Sequence, residues 1–253
     1  MPNSSSSNIN NVFFEGVYKE VWKKLIPPGL SQAECDFIID EASLQEGDQL
    51  LDIMCGYGRH ALELSRKGIK VSAVDNSSEY IQEIDSVVCR EQLPVKAILS
   101  DVLSIDLDDC FKAAICMGNS FAFFNKEEAS YLLKNISHHL IDGGILIINS
   151  WMIAEIAINH FKAHDWLQVD KYKYLLDYKF HFIPSRIESE HTIVTEDGVY
   201  EVIKGVDYIY TIAEIEEMFL QAGLTTKYLY STPRKRKFSL GDSSIYIVAE
   251  KKS

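Results

Sequence analysis

The stretch "LLDIMCGYGRHALELSRKGIKVSAVDNSSEYI", residues 50–81, constrains this chain more than any other. An apolar run carries Asp52 near its end, a glycine turn follows, then a segment with helical spacing, a break at Gly68, a second apolar run, and an acid at Asp75. Strand, glycine turn, helix and second strand make half of a nucleotide-binding α/β unit. The turn lets the backbone approach a ligand, and the helix start offers free N–H groups. Gly56, Gly58 and Ala61 satisfy G-x-G-x-x-G/A. Asp75 lies about 20 residues on, where a carboxylate accepts from two ribose hydroxyls. Any adenosine-containing cofactor suits this layout, and the turn alone does not choose between them.

The rest of the chain supplies the remaining elements. Capping boxes are read at Ser31 with Glu34, Asn125 with Glu128, and Thr211 with Glu214, each placing an N-cap acceptor three residues before an acid. The helix from Thr211 closes at Gly223, the residue favoured at a left-handed C′ position. Short β-rich runs, "QLLDIM", "KVSAVD", "VKAILSD", "KAAICMG" and "GILIINS", alternate with helices. "TTKYLYS" and "SIYIVAEK" close the chain. Between them, "KYKYLLDYKFHFIPSRIESEHTIVTEDGVYEVIKGVDYIY" reads as antiparallel strand throughout, with Asp197-Gly198 as a hairpin turn. The expected organisation is a solvated tail at 1–11, a helical cap at 12–45, an α/β core at 46–160 and 208–253, and a β insertion at 161–207.

Composition narrows the function. A chain of 253 residues with 47% hydrophobic content buries a sizeable core. Its 5 cysteines show no CxxC pair, and no segment has a targeting peptide's basic start and apolar run, which favours a reducing, cytoplasmic setting without a zinc site. No apolar run reaches the ~20 residues of a membrane span. A formal charge of −12 repels a phosphate backbone, so a small molecule is the expected acceptor in preference to nucleic acid. The basic run Arg234 to Lys237 reads as a solvated loop.

"LDxxCGxGRHALEL" resembles motif I of the class I S-adenosylmethionine (SAM)-dependent methyltransferases. Asp75 matches the acid that this family places after its second strand for the ribose, and Asp101-Val102 the pair that holds the adenine edge. "CMGNSFAFF", residues 116–124, matches the end of the fourth strand, which lines the methyl and substrate side. The two closing strands look like the family's terminal hairpin. The resemblance covers about residues 11–251 and implies a Rossmann-like α/β fold: a seven-stranded, mostly parallel sheet with an antiparallel terminal hairpin, an antiparallel β insertion and an N-terminal helical cap. It implies SAM as cofactor, bound by Asp52, Cys55, Gly56, Gly58, Asp75, Asn76, Asp101, Val102, Met117 and, from the cap, Tyr18. The finer pattern is similar to a bacterial small-molecule group that includes aminosugar and glycine-type N-methyltransferases. One departure stands out: Met54 occupies a position where the family usually has Gly, narrowing the freedom of the first turn residue.

Asn119 and Ser120 are the polar candidates for positioning the acceptor, since open α/β sheets bind ligands beyond their strands' C-terminal ends. Their other reading is a capped turn. Phe121, Tyr178 and Arg186 are candidates for the substrate. His60 is read as a packing or hydrogen-bonding histidine, and His138-His139 as surface or helix-dipole compensation. The expected activity is methyl transfer to N or O of a small molecule by in-line displacement. A NAD-dependent oxidoreductase and a SAM-binding protein that has lost catalysis are the alternatives; Asp52, Asp101-Val102 and the terminal hairpin oppose the first.

Overall fold

A computed structural model describes residues 8–252. The apolar runs of the first half become strands β1 (Gln49–Ile53), β2 (Lys70–Asp75), β3 (Val95–Leu99), β4 (Phe111–Cys116) and β5 (Leu140–Ser150). With β10 (Leu224–Tyr230) and β11 (Ile245–Lys251) they form a seven-stranded sheet in the order β10-β11-β5-β4-β1-β2-β3. β11 pairs antiparallel with both its neighbours, and the β1–β5 ladders are parallel, as expected. Order reverses between β1 and β4, creating the crevice at which such sheets bind ligands.

Apolar side chains cover both faces, as a parallel sheet requires. On one face, α5 (Lys126–His139) and α7 (Ile212–Gln221) bury Leu132, Leu133, Met218 and Phe219 against the sheet. On the other, α2 (Leu30–Glu41), α3 (Arg59–Arg66) and α4 (Ser78–Glu91) bury Ile38, Leu64 and Ile84. α1 (Tyr18–Leu25) precedes these, and the one-turn α6 (Ala154–Ala157) follows β5.

A second, four-stranded antiparallel sheet runs β6-β7-β8-β9: β6 (His164–Val169), β7 (Tyr172–Phe182), β8 (Ser185–Val194) and β9 (Tyr200–Tyr208). β7 shows why it has an inside: Tyr172, Tyr174 and Leu176 are buried while Lys173, Leu175 and Asp177 are exposed, the period of a half-buried strand. The inner face packs on Phe13 and, through Tyr18 and Val21, on α1.

Several expectations change at this level. Capping boxes form at Asn125 and Thr211, but not at Ser31. After Pro27-Pro28, α2 starts from Gly29 at φ 77° with no side-chain cap, which frees Ser31 and Glu34 to bond Arg59 instead. His139 is buried rather than on the surface, and its Nε2 lacks a partner. The basic loop is paired: Lys235 meets Asp40 and Glu41, and Arg236 meets Asp242. Of the stretch expected as tail, residues 1–7 lie outside the described residues. Residues 8–11 are built into the fold, with a 3-10 turn at Ile9–Val12 and Asn10 buried.

Candidate functional site

The strand ends bring three carboxylates to one cavity at the switch point. Asp52 comes from β1, Asp75 from the end of β2 and Asp101 from just beyond β3. The backbone of the glycine turn takes left-handed values at Met54 (φ 55°), Gly56 (φ 55°) and Gly58 (φ 78°). A methionine in that region pays roughly 1–2 kcal/mol that glycine does not.

Asp75 is held by its own backbone surroundings. Its Oδ2 accepts from the Gly56 N–H at 2.8 Å and its Oδ1 from the Ser77 N–H at 2.9 Å. Burial raises its pKa, and these N–H donors oppose the rise. Each oxygen keeps a second lone pair for a ligand hydroxyl. Asp52 is more isolated. It is buried, its Oδ2 lacks any hydrogen-bond partner, and burial pushes its pKa up to about 7, with the Arg59 charge opposing and Asp75 adding. A buried carboxylate oxygen without a donor leaves a place for a cationic or N–H-bearing ligand group.

Arg59 and His60 open α3 and line the same cavity. Both bond Glu34, at 2.5 Å and 2.9 Å, and the Tyr246 hydroxyl donates to the other Glu34 oxygen at 2.8 Å. Burial alone would raise Glu34, but the hydrogen bond from His60 and the charges of His60 and Arg59 outweigh it and bring its pKa to about 2. Burial holds His60 below its ordinary pKa, opposed by its hydrogen bond to Glu34. His60 is therefore bound to Glu34, as its hydrogen-bonding reading expected.

Cys55, Gly56, Asn76, Val102 and Met117 line the cavity with the three acids. Gly58 does not; its hydrogen faces Ile84, and a Cβ there would lie 2.7 Å from that side chain, so its smallness serves helix packing. Tyr18 also lies elsewhere, in a second cavity formed between α1, the inner face of the second sheet and the segment after β4. The two cavities share Asn10, Phe14, Trp22, Gly118 and Phe123. Trp22 from α1 stands over Gly118, where a Cβ would sit 3.7 Å from the indole. The two cavities adjoin at these residues.

The acceptor candidates divide between the two. Ser120 lines the first cavity, but its hydroxyl donates to the Met117 carbonyl at 3.0 Å. Asn119 and Tyr178 line the second. Asn119, at φ 72°, accepts through Oδ1 from the Ser150 hydroxyl and from the Trp151 and Met152 N–H groups, and donates through Nδ2 to Asp207 at 2.9 Å. Its amide is committed to the protein. Phe121 is buried beside Tyr210 and lines neither cavity. Arg186 bonds Glu188 at 2.9 Å and lines neither. An outward β8 position facing an acid two residues on explains it without a ligand.

Two groups of residues were not anticipated. The first is the asparagine segment: Asn10 exchanges hydrogen bonds with the Val206 backbone, accepting at 2.9 Å and donating at 2.8 Å. Asn8 donates to the Phe123 carbonyl at 2.9 Å and Asn11 accepts from Asn76 at 3.0 Å. The second is His191 and Asp207 on the second sheet.

A methyltransferase-domain family model matches residues 50–144, from β1 to the start of β5. The glycine/sarcosine N-methyltransferase of Aphanothece halophytica is 29% identical over 57% of this chain and 56% of its own. The dTDP-4-amino-2,3,4,6-tetradeoxy-D-glucose N,N-dimethyltransferase of Saccharopolyspora spinosa is 24% identical over 78% of this chain and 80% of its own. Of most curated relatives that it matches, the chain spans little more than half the length or less. A crystal structure of an S-adenosylmethionine-dependent methyltransferase from Clostridium acetobutylicum ATCC 824 superposes with a TM-score of 0.81 at 18% identity, covering 94% of this chain and 97% of that one. A likeness at that identity is one of fold.

Proposed function

We propose that this chain, whose β1–β5 region matches a methyltransferase-domain model, is a class I S-adenosylmethionine-dependent methyltransferase that transfers a methyl group from SAM to a nitrogen or oxygen of a small-molecule acceptor by in-line displacement. The observation that carries the reading is the pair of cavities meeting at Gly118 and Trp22. One has the acids and backbone donors suited to a nucleoside, and the other is walled by aromatic rings.

SAM, when bound, supplies a methyl group already activated by its positively charged sulfur. The protein's work is therefore alignment and exclusion of water. Asp75 takes the ribose hydroxyls, Asp101 and Val102 take the adenine edge, and the turn from Met54 to Gly56 brings backbone close to the ligand. Cys55, Asn76 and Met117 complete the wall. The unpartnered oxygen of Asp52 faces the positively charged end. The buried carboxylate of Asp52 beside the glycine turn fits a cationic cofactor better than a dinucleotide, whose phosphates lie over that turn. The nicotinamide reading thus gives way on charge.

Among the described residues no helix is long and apolar enough to cross a membrane. The acidic balance of the chain supports a small acceptor over a nucleic acid, and its cysteine usage supports a cytoplasmic setting. The test is turnover of SAM carrying a chiral, isotopically labelled methyl group against a panel of small amines and alcohols. Inversion at the methyl carbon is the expected result, and retention would overturn the in-line step.

A further inference from the structure

The second cavity holds one carboxylate, Asp207, among rings that include Tyr18, Trp22, Trp151, Tyr174 and Tyr178. Asp207 lies near the end of β9, is half-buried, and lines this cavity. Among the described residues its carboxylate accepts one hydrogen bond, from Asn119 Nδ2 to Oδ1 at 2.9 Å, which leaves Oδ2 without a protein donor. Asn119 is itself fastened at its oxygen by three donors, so its amide presents Asp207 in one orientation.

Every other titratable group facing the cavity is neutral near pH 7. Tyr18 from α1 and Tyr174 and Tyr178 from β7 are held well above their ordinary pKa by burial. His191 from β8, hydrogen-bonded to the Tyr174 hydroxyl, is pulled down to about 4 by burial. No cation among the described residues balances Asp207. A lone, oriented carboxylate in an aromatic cage is the arrangement that recognises an ammonium group, through charge and through the ring faces. A neutral hydroxyl gains little there.

We infer that Asp207, oriented by Asn119, docks the protonated amine of the acceptor and takes its proton before methyl transfer. The inference rests on the methyltransferase reading and narrows its acceptor to an amine. The ammonium N–H bond breaks and its proton passes to Asp207. The freed nitrogen pair then forms the N–C bond as the C–S bond of SAM breaks and its electrons stay on sulfur. The products are the N-methylammonium and S-adenosylhomocysteine, and the proton on Asp207 leaves to solvent when they depart.

Burial pushes the Asp207 pKa up to about 7, opposed by the Asn119 hydrogen bond. The charged form is therefore present above that pH and is lost below it. Ammonium affinity should fall as pH drops through about 7, while His191 remains neutral throughout that window.

The test is calorimetric binding of benzylamine and of benzyl alcohol, both to the S-adenosylhomocysteine-loaded protein and to the free protein, for wild type and Asp207→Asn, at several pH values. Benzylamine should bind at least about tenfold more tightly than benzyl alcohol at pH 8, with that preference fading below pH 7 and absent in Asp207→Asn. S-adenosylhomocysteine affinity should be unchanged by the substitution, which also reports that the variant is folded. Equal binding of amine and alcohol by the wild type, or an amine preference that survives in Asp207→Asn, overturns the inference. Failure of the wild type to bind S-adenosylhomocysteine would instead overturn the cofactor reading, and the free-protein arm still decides the role of Asp207.

Discussion

Gly58 shows how a single residue can be required for a reason its motif does not state. It sits at φ 78° and faces Ile84 of α4, so alanine there meets both a backbone penalty and a 2.7 Å contact. Gly58→Ala should destabilise the protein by about 1–3 kcal/mol in a urea titration. An unchanged midpoint would show that α4 moves aside freely. Asp52, Asp75 and Asp101 were legible from sequence because each lies at or near the end of a short apolar run, and a parallel sheet places such ends together. That Tyr18 lines the second cavity, and Phe121 and Arg186 neither, was not legible, because a residue's position along the chain does not say which of two adjoining cavities, or which face of a strand, receives its side chain. Asp207 had no local signal at all. It is one more polar residue on a β9 strand of mixed burial until Asn119, far off in sequence, is folded against it.

At the scale of elements, Glu34 ties α2 to α3 and β11 through Arg59, His60 and Tyr246. "SQAE" reads as a capping box, and the box failed because the glycine after two prolines already sets the helix start. The boxes at Asn125 and Thr211 formed because nothing competes for their side chains. The pKa of Glu34 is about 2, below its ordinary 4.5. Its depressed pKa contributes stability above pH 4.5 that is lost as pH falls through about 2, on the order of 3 kcal/mol in full. Glu34→Gln should therefore be less stable than wild type at pH 7, with the gap narrowing below pH 4.5. Chemical denaturation across that range checks it, and a gap independent of pH would remove Glu34's charge from the account.

Across the whole molecule, the N-terminal segment and the second sheet turn an open crevice into a paired cavity. The central sheet, its order and its terminal hairpin could be read from sequence because alternating apolar runs and helices admit few arrangements. The asparagines at 8, 10 and 11 could not, since a segment that uses amides to bind backbone has the composition of a solvated tail. Asn10→Ala would leave the Val206 backbone groups unpaired in a partly buried place, at a cost of about 1–3 kcal/mol. Hydrogen exchange at the Val206 amide should accelerate in that variant, and unchanged protection would mean the segment does not hold β9. The central claim is that the acids at the strand ends bind a SAM-type cofactor, and calorimetric titration with SAM and S-adenosylhomocysteine tests it most directly. The account predicts binding by the wild type that Asp75→Ala weakens by about 1.5–3 kcal/mol, the loss of a charge-assisted ribose contact. Absence of binding by the wild type, or binding indifferent to Asp75→Ala, would contradict it.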